Sequence, residues 1–257
     1  MRKRLLLFIC FVGMASIAFA EGPVVEFEGR YWITDLDADA KVVESGLGTE
    51  FDLKSDLGID DENYPEGRFT WHTGPNSKIR FAYTRVDYEG DQTLSRTIDF
   101  NGKSYTVGAR VVSDFEIQYF RLGWIWQFLN IEDKLKLGPM VDLKGIMADL
   151  SLNAPTLSIN ESEEFLGGLP TIGAALDFNV VEDLDILGNV SLFGEISGIP
   201  AGDLGHFFDA EAGIKIMPCK YFSITGGYRV IDFEVEDDPD FASLTITGPF
   251  VAASLSF

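Results

Sequence analysis

Alternation constrains this chain more than any other feature. Ten segments place apolar side chains at every second position, separated by turn-forming residues. The last is the clearest: Val251, Ala253, Leu255 and Phe257 share one face, while Ala252, Ser254 and Ser256 share the other. The same period of two predicts strands over 24–34, 66–73, 79–84, 114–128, 135–144, 165–180, 186–196, 206–217, 221–235 and 242–257. In the fourth, Phe120, Leu122, Trp124, Trp126 and Phe128 oppose Arg121, Gly123 and Gln127. A chain patterned this way folds as an all-β protein of about ten strands, with eight to twelve compatible with the pattern.

Met1 to Ala20 has the build of a secretory signal: Arg2, Lys3 and Arg4, an apolar stretch Leu5 to Val12, and Ala18-Phe19-Ala20 before the expected cut between Ala20 and Glu21. The expected organisation is therefore a signal peptide, 1–20, and one β-domain, 21–257. After Ala20 no run of eighteen apolar residues occurs, so no transmembrane helix is expected. If such a chain enters a membrane it does so as a closed barrel, because lipid leaves the hydrogen-bonding groups of an open strand edge unsatisfied.

The connections alternate in length. Gly74–Ser77, Asn130–Asp133, Glu182–Asp183 and Pro218–Lys220 are short, whereas 35–65, 88–113 and 147–164 are long. Within the second long segment, 94–100 and 104–112 alternate around Asn101-Gly102. That dipeptide predicts a type I′ hairpin, formed either by neighbouring strands extended beyond the membrane or by a hairpin standing on the rim. The formal charge is −21, and −24 without Arg2, Lys3 and Arg4, which argues against a nucleic-acid partner and for acidic, solvated loops. Cys10 falls in the signal, leaving Cys219 alone and without an internal disulfide partner.

An exported chain that ends in an alternating strand with a terminal Phe resembles the bacterial outer-membrane β-barrel proteins, the small porin-like barrels of OmpA or OmpW type. The resemblance implies an antiparallel, up-and-down transmembrane barrel in the outer membrane of a Gram-negative cell, with termini and short turns periplasmic and long loops outside. It also implies that Leu255 and Phe257 form the signal read by the barrel-assembly machinery, and that the partners are outer-membrane lipid and lipopolysaccharide. The segment Thr49 to Glu62 is similar to a loop motif found in a small group of such barrels.

The face opposite the apolar one is expected to line the lumen. It carries seven acids, Glu26, Glu28, Asp142, Asp177, Glu195, Asp209 and Glu211. Eight bases accompany them: Arg30, Arg68, Arg80, Arg121, Lys136, Lys144, Lys215 and Arg229. A near-neutral set inside a narrow barrel predicts an ion-pair network that plugs the lumen, since isolated buried charges are costly. Outward aromatics near strand ends, Tyr31, Trp32, Trp71, Tyr83, Trp124, Trp126, Tyr221 and Tyr228, are expected at the headgroup level.

Catalytic signals are sparse. There are two histidines, no Gly-x-Ser-x-Gly elbow and no metal-type His pair, so neither an enzyme nor a cofactor is expected. His72 is expected near a periplasmic turn. His206, expected near Asp203 and Asp209 on the outer side, is the one candidate general base for a rim hydrolase. Asp35, Asp37 and Asp39, the 60–62 acids and 236–240 are hard oxygen clusters of the kind that bind Ca²⁺ and bridge lipopolysaccharide phosphates. The expected function is a non-enzymatic envelope protein with acidic outer loops. The alternatives are a narrow channel for small or apolar solutes and a hydrolase using His206.

Overall fold

The computed structural model describes residues 24–44, 46–132, 134–184, 187–200 and 205–257; the expected signal and its Ala20–Glu21 cut lie outside them. Among the described residues there are only strands and turns. The strands are β1 (Val25–Trp32), β2 (Asp35–Lys41), β3 (Phe51–Asp52), β4 (Tyr64–Gly74), β5 (Ser77–Thr93), β6 (Ile98–Phe100), β7 (Lys103–Tyr105) and β8 (Arg110–Trp126). They continue with β9 (Leu129–Ile131), β10 (Leu135–Ala154), β11 (Ile159–Leu184), β12 (Gly188–Pro200), β13 (Gly205–Cys219), β14 (Phe222–Asp237) and β15 (Asp240–Ser256).

Ten of these form the wall, in the order β1-β4-β5-β8-β10-β11-β12-β13-β14-β15. Each pairs antiparallel with its chain neighbour, and β1 pairs with β15 to close the ring. The last expected strand is the seam: Phe27 lies opposite Leu255, and the Phe257 carbonyl accepts from the Val24 and Val25 amides. Closure satisfies the edges that an open sheet would expose to lipid.

The outward face carries a belt of apolar side chains. On β10 it runs from Leu137 through Val141 and Leu143 to Met147, the nine to eleven residues a tilted strand needs to cross a bilayer core. On β8 the belt is Phe120, Leu122, Trp124 and Trp126, with the last two rings stacked. Seven of the eight expected girdle aromatics are exposed on this outer face. Trp32 is the exception. One residue out of phase with Tyr31, it points into the lumen at 2% exposure and donates its indole N–H to the Gly248 carbonyl.

Above the belt the pattern inverts without any slip in register. Further up β8 the outward positions become Arg110, Asp114, Glu116 and Gln118, and the inward ones Val111, Phe115 and Ile117. Likewise on β5, outward Phe81 and Tyr83 give way to Arg85, Asp87 and Glu89, while Val86 and Tyr88 point in. The lower half is therefore apolar outside and charged inside, and the upper half is built like a water-soluble barrel.

This inversion shortens the expected long connections. Residues 35–41 form β2, which continues β1 alongside β15. β10 and β11 run up to a turn at 155–158. The remaining loops fold inward. Phe51, Leu53, Leu57 and Ile59 from the first loop fill the mouth, so the segment similar to a known loop motif is a buried plug. The Asn101-Gly102 hairpin forms, with φ of 48° and 71° as a type I′ turn requires. It is the separate two-stranded sheet β6–β7, lying over the mouth rather than standing on the rim, with Ile98, Phe100 and Tyr105 fully buried. Tyr105 reaches the Leu152 carbonyl, and Asn101 the Ser162 carbonyl. Arg96 clasps Asp56 and the Glu50 carbonyl, tying the two loops together.

Candidate functional site: the lumen

Period-two patterning places a charged side chain inward on nearly every wall strand, and the barrel's small radius brings these charges together. The fifteen residues expected to line the lumen all project inward. Glu211 on β13 is the hub. It accepts from Arg30 Nη1 at 2.6 Å and from Arg68 Nη1 and Nη2 at 2.8 Å each. Glu66 binds Arg68 and, at 2.7 Å, Arg229. Arg229 forks onto Asp209 at 3.1 and 3.0 Å.

From Asp209 the chain of contacts runs to Lys144 at 2.8 Å and Asp142 at 3.8 Å. It continues through Arg121 at 3.1 Å to Glu195 at 3.1 Å, and ends at Arg80, 2.7 Å from Glu195. With Glu28 on Arg30, this makes one connected network of six acids and six bases. Most of its members are almost wholly buried. Such burial is tolerable because every charge has an opposite neighbour and bidentate guanidinium geometry recurs. Gly123 is part of the design: a Cβ there would collide with Asp142 Oδ1.

Below the network a cavity of about 330 Å³ is lined by the Gly74–Ser77 turn and hence lies at the periplasmic end. Here Lys215 pairs with Glu26 at 2.9 Å and Lys78 with Asp177 at 3.3 Å. Lys136 and His72 line the same space. Above the network the cations meet aromatic rings. Arg30 lies 3.7 Å from the Phe250 centroid, Arg229 5.1 Å from Trp32, and Lys144 4.8 Å from Phe207. Over these sits the aliphatic and aromatic filling of the upper half, including the Tyr64–Tyr88 hydroxyl pair at 2.6 Å.

Two participants escaped the sequence reading. Glu66 shares the parity of Arg68 but opens its segment, and Lys78 immediately follows a turn; parity alone marks both as inward.

The catalytic candidate falls elsewhere. His206 faces outward on β13 and is 41% exposed at its side chain. Its neighbours are Asp232 at 3.4 Å and Glu234 at 3.9 Å on β14. Asp209 is not among them: three residues along a strand reverses the face, and its carboxylate is committed to Arg229 in the lumen. Asp203 lies outside the described residues.

Of the acidic groups, Asp37, Asp39 and Asp52 bring carboxylate oxygens within 4.8 Å of one another where β2 meets β3. Burial and the neighbouring carboxylates push Asp39 above the usual range. Asp35 and Asp61 are instead engaged by Lys54, at 2.7 Å each.

No family model matches the chain, and no curated protein matches it in sequence. Solved structures do. The outer membrane protease OmpT of Escherichia coli superposes with a TM-score of 0.61 at 8% identity, covering 94% of this chain and all of that one. The transport unit of the autotransporter AIDA-I of Escherichia coli gives 0.43 at 10% identity, covering 96% and 94%. Ail, the attachment invasion locus protein of Yersinia pestis, gives 0.36 at 10%, covering 92% and 99%. At this identity the OmpT likeness is one of fold. Together with the apolar belt and the closed ten-strand wall, it gives the chain the fold of the bacterial outer-membrane β-barrels.

Proposed function

We propose that the protein is a non-enzymatic element of the outer membrane, structural or surface-interacting, with its lumen closed by its own ion pairs and an acidic surface turned outward. The observation that carries this reading is the connected, charge-matched network of six acids and six bases across the membrane-level lumen. A permeating ion would have to separate buried pairs and then pass a second, apolar layer, each step carrying a cost of several kcal/mol. The hydrolase alternative rests on His206, which stands outward beside Asp232 and Glu234 and apart from the lumen network. The seam at Phe257 supports Leu255 and Phe257 as the assembly signal, because the last strand closes the ring.

Planar-bilayer recording of the refolded, heat-modifiable protein tests the reading. The expected result is a silent bilayer; stepwise conductance would overturn the sealed lumen in favour of a narrow channel. A His206→Ala strain with an altered lipid A profile would overturn the non-enzymatic reading.

A further inference from the structure

Beyond a sealed barrel, we infer that the upper part of β11 is a docking edge, on which a basic, extended segment of another protein adds itself as a strand. The inference rests on the surface-interacting side of the proposed function and not on the sealed lumen. β10 pairs with β11 all the way up to Ile159, whereas the ladder to β12 stops where Ile172 meets Gly198. The same register would next bring Pro170 against Pro200, and neither has an N–H to give. β12 ends there, at Pro200. Among the described residues, 159–171 therefore pairs on one side only. Its upper part, 159–165, clears the belt, because Glu164 stands opposite Asp149 in the charged stretch of β10. That leaves roughly 23 Å of edge in water, enough for a strand of ordinary length. A free edge presents unpaired backbone N–H and C=O groups, the template for strand addition.

The side chains along this edge select its occupant. Glu161, Glu163 and Glu164 lie within four residues, and the nearest cation, Lys103, comes no closer than 4.0 Å to Glu161 among the described residues. A second copy docking antiparallel through the same edge would set these acids against one another, which cross-strand pairing penalises. A segment with Lys or Arg at alternate positions meets them with opposite charge. Phe165 supplies an apolar anchor. It points inward but is 39% exposed, with Phe233 5.9 Å away, so an apolar side chain of the added strand can cover it.

The test uses the refolded protein and the peptide acetyl-Lys-Val-Lys-Phe-Lys-Val-Lys-amide, read by titration calorimetry and by hydrogen exchange. Saturable binding is expected, with new protection of amides within 159–165. The same peptide N-methylated at alternate amides keeps its charge but cannot complete the ladder, and should bind weaker by about five-fold for each lost bond. Glu163→Lys combined with Glu164→Lys alters two exposed side chains, so the heat-modifiable band persists while affinity falls about ten-fold. Absence of saturable binding overturns the inference. So does equal binding of the N-methylated peptide, which would reduce the contact to charge attraction, or protection confined to other strands. Protection of 159–165 before any peptide is added, rising with protein concentration, would make a second copy the occupant and overturn it as well. Bilayer conductance bears only on the sealed lumen, and failure of the peptide to bind leaves that reading standing.

Discussion

Replacing Glu211 by Gln changes the hub of the lumen while keeping its shape. In the native protein Glu211 receives three charge-assisted hydrogen bonds, one from Arg30 and two from Arg68, with Arg229 a further 3.9 Å away. Oε2 takes two of the three bonds, so a carboxamide with its oxygen there keeps those two, loses the third and turns an NH₂ towards Arg68 Nη1. At roughly 1.5–3 kcal/mol for a hydrogen bond to a charged group, the lost bond is worth about 1.5–3 kcal/mol. The network also becomes five acids against six bases. Breaking one partner of a buried pair costs about 3–5 kcal/mol on independent grounds. We therefore expect a loss of about 3 kcal/mol, read as reversible urea unfolding from lipid vesicles. Glu211→Gln combined with Arg68→Gln restores the charge match and should recover part of the loss. Glu236→Gln, on the exposed tip of β14, is the control and should fall within about 0.5 kcal/mol of the parent. A loss below about 1 kcal/mol for Glu211→Gln would mean that water screens the lumen, and the argument for an ion-pair seal would fail.

Three further outcomes follow from the same structure. Leu143→Arg faces mid-belt lipid and should cost about 2–4 kcal/mol, whereas Ser151→Arg, on the same face of β10 above the belt, should cost almost nothing; equal losses would misplace the membrane. Gly123→Ala pushes the Asp142 carboxylate off Arg121 and should cost about 1–3 kcal/mol by the same unfolding assay, while a neutral result would mean the Asp142 side chain has room to move. The Arg96 hydrogen bond, outweighing burial, holds Asp56 below the usual carboxylate range of 3.8. A depressed carboxylate contributes fully above its unfolded pKa and loses that contribution as pH falls through the folded value, so the loop clasp should stay shut from pH 7 to about 4 and open below. Hydrogen exchange over 49–58 reads it; opening already between pH 7 and 5 would exclude Asp56 as the group responsible, and Arg96→Gln should open the clasp at pH 7.

The barrel was legible in the sequence because its wall obeys one rule. Wherever Phe120, Leu122 and Trp124 alternate with Arg121 and Gly123, parity alone separates lipid from lumen. The same rule placed the inward charges, but not who meets whom. Glu211 and Arg30 stand 181 residues apart and touch only because the ring closes. Trp32 was misassigned because an aromatic near a strand end suits an interface, and residue type was allowed to outweigh phase. His206 was grouped with Asp209 by sequence distance, where strand geometry sends the two to opposite faces. The long loops were misjudged for a different reason. Above the belt the outward positions turn polar and the inward ones apolar, so Val86, Tyr88 and Phe115 still alternate but with the opposite meaning. A single-sided hydrophobic template reads that stretch as irregular.

The inverted upper half bears on how the protein reaches its place. Arg85, Asp87, Glu116, Asp149, Glu164 and Asp232 ring the wall just above the belt, all pointing outward. Built from the periplasm, the barrel must carry this collar through the hydrocarbon, each ionised side chain meeting a barrier of a few kcal/mol on the way. Spontaneous insertion into a thick bilayer is thereby expected to be slower than into a thinned one. After delivery the barrier works in the other direction. The collar acts as a flange that sets the depth of the barrel and keeps it from sliding back, leaving the journey one-way without any covalent step.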